Sequence, residues 1–210
     1  MEAFTELTAV AVPFDQANID TNQLCPTRFN KVPPGSPGYE RILFHDLRFE
    51  ADGSEKADFI LNRDPYRAAG IIVADANFGC GSARESAAYA LLAFGVRCLV
   101  APSFGDIFYN NCLKTGVLPV PVTAEISQRW RRDLRDRPGA TITVDLEAQM
   151  VTAPDGTTQA FDIPPTRKMC LLQGLDDIAL TERYRDDIET FEAAWRAEAP
   201  WLDPGNREGA

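Results

Sequence analysis

The chain has 210 residues, a formal net charge of −10 at pH 7 and 45% hydrophobic residues. That length suits one domain, or one domain with a tail, and is enough to bury a sizeable core. The acidic balance argues against nucleic acid or an anionic membrane surface as partner, and an anionic ligand would need local positive groups such as Arg84, Arg28 or a helix N-terminus.

The opening residues, Met1 to Glu6, carry no basic region followed by an apolar stretch, so no secretory leader is expected. Leu7 to Phe14 reads as the first strand, and Asp15 to Asn22 as a polar turn. Thr27 to Gly38, with Pro33, Pro34, Gly35, Pro37 and Gly38, reads as a long loop; such loops are as often functional as they are plain connectors. His45, the only histidine, sits in an apolar segment with no catalytic partner nearby and is expected to be packed or at the surface. Asp64-Pro65 carries a helix-start signal, with Asp64 as cap and Pro65 at the first helical position.

The centre alternates. Strands are expected at Ile71–Ala74, Cys98–Ala101 and Val117–Val120, and helices from Ser82 to Phe94, from Phe104 to Lys114 and from Ala124 to Asp136. That β-α-β-α-β order implies parallel strands with right-handed crossovers. After Pro138-Gly139 the period changes to two over Thr141–Leu146, and Asp155-Gly156 between two short β-rich runs signals a hairpin. Helices follow at Thr166–Leu172 and Thr181–Ala199, the latter with one apolar stripe of Ile188, Phe191 and Trp195 that could pack on this chain or on a partner. The domain is expected to span 1–199, including these helices, with 200–210 a loose tail. Its longest apolar region, Ala87 to Phe104, is broken by Arg97 and Pro102, so no membrane span is expected. Five cysteines (25, 80, 98, 112 and 170) are widely spaced with no C-x-x-C pair, which argues against a disulfide framework or a cluster held by this chain and points to a reducing cytoplasm.

The stretch Ala76-Asn77-Phe78-Gly79-Cys80-Gly81-Ser82-Ala83-Arg84-Glu85 joins a buried strand to a helix through a glycine-bearing turn. Such a junction aims free N–H groups and the positive end of the helix dipole at one point, which suits a carboxylate. Ser82 and Arg84 add a hydroxyl and a guanidinium there. Ser82 to Glu85 is equally a capping box, S-x-x-E, in which Ser82 caps the helix. The glycines flanking Cys80 favour close approach to the backbone, which a plain cap does not need.

Five segments in order resemble the small subunit of 3-isopropylmalate dehydratase, a family similar to the swivelling domain of aconitase. They are Asn18–Gln23, Asp58–Asn62, Asn77–Glu85, Ala101–Asn111 and Leu171–Ile178. The resemblance implies an α/β, aconitase-like swivelling β/β/α domain with a mixed sheet and a C-terminal helical extension. It also implies a hydro-lyase acting on a hydroxy-dicarboxylate in leucine biosynthesis, in a heterodimer or heterotetramer with a large subunit that carries a [4Fe–4S] cluster. On the same resemblance, that iron would act as Lewis acid, Ser82 is implied as the base for the C–H proton, and Arg84 as the clamp for a substrate carboxylate. Gly81, Ala83, Asp20, Thr21 and, in the loop where the family reads the side group, Arg28 are implied as substrate-binding. The family usually has a second serine at Ala83, histidine at Ser86 and Met169, and aspartate at Asn22. These departures leave a methyl- or dimethylmalate dehydratase and a non-catalytic binding partner as alternatives. A self-sufficient enzyme with Cys80 as nucleophile is a third, weighed down by the lack of a neighbouring base.

Overall fold

In the computed structural model, which describes residues 1–202, the first strand is β1 (Glu6–Phe14), followed by single turns of helix α1 (Thr21–Leu24) and α2 (His45–Arg48). Then come β2 (Ile71–Ala74), α3 (Glu85–Phe94), β3 (Cys98–Ala101), α4 (Asp106–Thr115), β4 (Leu118–Pro121) and α5 (Ala124–Asp136). The remainder is β5 (Thr141–Asp145), β6 (Met150–Thr152), β7 (Thr158–Ala160), α6 (Pro165–Gln173), α7 (Asp177–Thr181) and α8 (Arg185–Glu198). Packing divides the chain after Gly174 into two units. The second contains α7 and α8. A 3-10 turn, Pro200–Leu202, begins the segment expected to be a tail, and 203–210 lie outside the described residues.

The first unit is built on one seven-stranded mixed sheet of order β4-β3-β2-β1-β5-β6-β7. Strands β1 to β4 pair in parallel, whereas β5, β6 and β7 pair antiparallel, with β5 against β1. The expected β-α-β-α-β run is the parallel half. Every residue of β2 and β3 is buried, because helices cover both faces, and this is why those strands read as unbroken apolar runs. Ile72 and Leu99 pack with Leu91 of α3 on one face; Ile71, Val73 and Val100 pack with Trp130 and Leu134 of α5 on the other. Strand β5 alternates buried Ile142 and Val144 with more exposed threonines, as a half-covered strand must.

Three expected elements differ. The helix expected from Ser82 begins at Glu85, because 82–84 is held extended. Pro65 leads only into a 3-10 turn, Tyr66–Ala68, because Gly70 N–H donates to the Val10 carbonyl (3.1 Å) and draws the chain straight into β2. The last helix, expected from Thr181, is instead α7, a 3-10 turn over Glu182–Tyr184, and α8. The long excursion before β2 closes on buried Arg48. Its guanidinium, pushed by burial down to about 10, donates to the Glu40 and Leu43 carbonyls and to Asn62.

Candidate functional site

Strands β1 and β2 are parallel and leave the sheet at the same edge. Beyond it their chains stay together. Asn18 N–H donates to the Ala76 carbonyl, Gly79 N–H to Ile19 and Thr21 N–H to Cys80, at 3.0, 2.7 and 2.9 Å. The Thr21 hydroxyl, buried, donates to the Ser82 carbonyl at 2.9 Å. On the other side, Phe78 N–H donates to the Ser103 carbonyl and Gly105 N–H to Phe78, at 3.1 and 2.9 Å. The 76–84 segment is thus strapped between the chain leaving β1 and the chain leaving β3.

The strap explains the start of α3. With its carbonyl taken by Thr21, Ser82 cannot enter the helix, and Arg84, extended at φ −141°, ψ 120°, becomes the N-cap with no side-chain cap bond. Ser82 therefore does not cap α3, contrary to the capping-box reading. Its hydroxyl has no hydrogen-bond partner among the described residues, and the residue is exposed. It opens on a hollow of about 200 Å³ shared with Gly79, Gly81, Gly105, Asp106, Ile107 and Phe108. Those last residues are the start of α4, whose N-cap, Gly105, has no side chain to occupy the first free N–H groups. The positive helix end beside Ser82 is therefore that of α4 as well as α3. The chain order β3-Gly105-α4 was the signal that could have found it, since a parallel neighbour's helix starts at the same sheet edge.

Gly79 and Gly81 have positive φ, +73° and +89°. At Gly79 a Cβ would lie 2.1 Å from the Phe108 ring, so this position also needs the space. Ala83 is exposed beside Ser82 and adds no polar group.

Arg84 faces a second hollow, of about 340 Å³, with Val32, Pro34, Tyr39, Ser86 and Tyr89 along its wall. Its guanidinium donates to Asn22 Oδ1 and to the Cys25 carbonyl, both at a long 3.3 Å. The loop expected at Thr27–Gly38 thus lies beside the guanidinium, through Val32 and Pro34. Asn22, placed by the sequence in the turn near the site and noted as a departure from the family, is the side chain that holds the guanidinium, a contact the sequence did not assign. Its Oδ1 also accepts from Thr27 N–H and hydroxyl at 3.0 and 2.8 Å.

Other expected site residues are used differently. Asp20 caps α1, accepting from the N–H groups of Asn22 and Gln23, and Thr21 is the strap just described. Arg28 is not brought to Arg84: its guanidinium is paired with Asp46, reaches His45 Nδ1 at 3.1 Å and lies over the Phe29 ring. His45 is held there, between Phe29 and Phe49. Burial pushes the Cys25 thiol up, with Ser86 and the Arg84 charge opposing, so this cysteine is a packed thiol beneath Arg84. Among the described residues no group of three His, Cys, Asp or Glu could hold a metal ion, and the donor sets there do not fit an iron–sulfur cluster. Among them, too, no helix is long and apolar enough to cross a membrane.

With that geometry in view, residues 1–125 match the aconitase C-terminal domain family and 128–165 match LeuD_N. Residues 177–205 match the C-terminal domain of the 3-isopropylmalate dehydratase small-subunit family. The 3-isopropylmalate dehydratase small subunit of Gluconacetobacter diazotrophicus is 49% identical over 201 residues, covering 96% of this chain and 97% of that one. That of Paramagnetospirillum magneticum is 46% identical over 202 residues, 96% of this chain and 100% of the other. A crystal structure of 3-isopropylmalate dehydratase from Methanocaldococcus jannaschii superposes with a TM-score of 0.62 at 21% identity, over 89% of this chain and 99% of that one, and shares the fold.

Proposed function

The chain belongs to the 3-isopropylmalate dehydratase small-subunit family, and from that premise we propose that it is the small subunit of a heteromeric hydro-lyase that isomerises 2- and 3-isopropylmalate in leucine biosynthesis, in the cytoplasm. Its partner is a cluster-bearing large subunit, in keeping with relatives that are named as small subunits. What this chain contributes is a base and a clamp.

One observation carries the reading: a serine hydroxyl without a partner among the described residues opens on a hollow at a helix N-terminus, two residues from an arginine held only by long bonds. Ser82 removes the proton beside the substrate carboxylate. A serine is ordinarily far too weak an acid for this, and the free N–H groups starting α4 and α3 are the groups that would stabilise its alkoxide. Arg84 exchanges its long bonds to Asn22 and the Cys25 carbonyl for a bidentate pair with a substrate carboxylate. The hollow beside it, lined by Val32, Pro34, Tyr39 and Tyr89 together with Asn30, Glu85 and Ser86, has an apolar side that suits the branched alkyl group.

Anaerobic co-expression with the large subunit, followed by absorbance detection of the unsaturated product, tests this on isopropylmalate, methylmalate and dimethylmalate in parallel. Turnover of isopropylmalate is expected. Turnover of only a smaller alkylmalate would reassign the substrate, and none on any would favour a non-catalytic partner.

A further inference from the structure

The two chain segments that build the site leave the sheet as neighbours and pair again beyond it in the same register. Within β1 and β2 the partners run from Ala11 with Ile71 to Phe14 with Ala74; after the excursion Asp20 pairs with Cys80. In both places the partners are sixty positions apart (11 with 71, 20 with 80). The next in-register pair after Phe14 and Ala74 is Asp15 and Asp75, two carboxylates side by side where ladder pairing stops. Alone they would repel and splay the two exits.

Arg131 of α5 bridges them. One terminal nitrogen meets Asp15 Oδ1 at 2.7 Å, and the other meets Asp75 Oδ2 at 3.0 Å. Arg135, one turn on, also pairs with Asp15 but does not reach across to Asp75. The Arg131 Nε donates to the Ser127 hydroxyl at 3.3 Å, and that hydroxyl donates to the Ala74 carbonyl at 2.7 Å, the last residue of β2. Asp75 Oδ1 in turn accepts from Ala76 N–H at 2.7 Å, at the first step of the site segment. Arg131 and Ser127 are both buried. The guanidinium fork is a fixed-width spacer, since its nitrogens lie in one rigid plane.

We propose that Arg131 is a positioning residue for the reaction: by clamping Asp15 to Asp75 it keeps the β1 and β2 exits in register, so that Thr21 meets Cys80 and Ser82 and the Ser82 hydroxyl is held in the hollow. It touches neither substrate nor reacting atoms. The inference rests on the reading of Ser82 as base, and the test separates the two.

The experiment uses the full chain assembled with its large subunit and the variants R131M, R131K and D75N. Amide hydrogen exchange is read at Thr21 and Gly79, whose N–H groups cross the two exits, and at Ile72 and Leu99 in the sheet. In R131M, exchange at Thr21 and Gly79 is expected to speed up with the sheet amides unmoved. The kcat is expected to fall by about 100-fold, the scale of an ångström-sized misplacement, with KM little changed. R131K, which keeps the charge but cannot span both carboxylates, recovers part of each, and D75N lies between. Should R131M not fold, R131K and D75N carry the test. Unchanged exchange at Thr21 and Gly79, or an increase no greater than in the sheet, overturns the clamp. Selective loosening with kcat unchanged overturns its consequence for the reaction, provided S82A abolishes turnover. If S82A is active, the base assignment has failed, and the exchange result alone decides on the clamp.

Discussion

Gly79 and Gly81 sit one residue either side of Cys80, and chemistry distinguishes them. Both have positive φ, which costs an L-residue about 1–2 kcal/mol. At Gly81 nothing lies closer to a new Cβ than Asp20 Cβ at 3.5 Å, so G81A carries only that cost. At Gly79 the Phe108 ring occupies the place, adding about 1–3 kcal/mol of overpacking. Urea unfolding should therefore rank G79A as the more damaging, at about 2–5 kcal/mol in all; equal losses would contradict this geometry. Arg28 gives a second residue-scale test. Its hydrogen bond to Asp46 holds that carboxyl at about 2 instead of 3.8, with His45 assisting. A depressed folded value means that the stabilisation is complete above the ordinary carboxylate pKa and is lost as pH falls through about 2. R28A should return Asp46 toward 3.8 in a carbon-detected NMR titration, and a value still near 2 would contradict the pairing.

The elements show which signals are local. Strands β2 and β3 and helix α5 were legible within a residue, because full burial gives β2 and β3 unbroken apolar runs and one-sided burial gives α5 an amphipathic pattern with a capping Thr123. The start of α3 was not, because the competing bond to the Ser82 carbonyl comes from Thr21, sixty-one residues away, and no local pattern carries it. The break before α8 was hidden too, since Thr181–Arg185 has no glycine or proline to mark it. At the candidate site, the Asn77–Glu85 motif marked Ser82, Arg84 and Gly81, and a second segment, Asn18–Gln23, marked the Thr21 turn, whereas the part played by α4 depended on strand order. Helix α5 yields its own test. Trp130 is almost fully buried and its Nε1 has no hydrogen-bond partner among the described residues. W130A should cost about 3–5 kcal/mol. W130F should cost much less, since it also deletes an unpaired buried donor whose desolvation is worth about 1–3 kcal/mol. Similar losses in thermal unfolding would contradict this.

At the scale of the whole molecule, the parallel strands β1 to β4 all leave the sheet at one edge, and the candidate site is made where the connections after β1, β2 and β3 pair. Of the antiparallel half, β5 and β6 complete the core against Trp130 and Leu134 through Ile142, Val144 and Val151. The role of Ser82 is decided by kcat for isopropylmalate of the assembled enzyme carrying S82A, with co-purification confirming assembly. Removal of a general base costs about 10²–10⁴ in rate. A loss at the upper end of that range is expected, with the complex intact and KM little altered. An S82A enzyme that dehydrates isopropylmalate at the unsubstituted rate would contradict it.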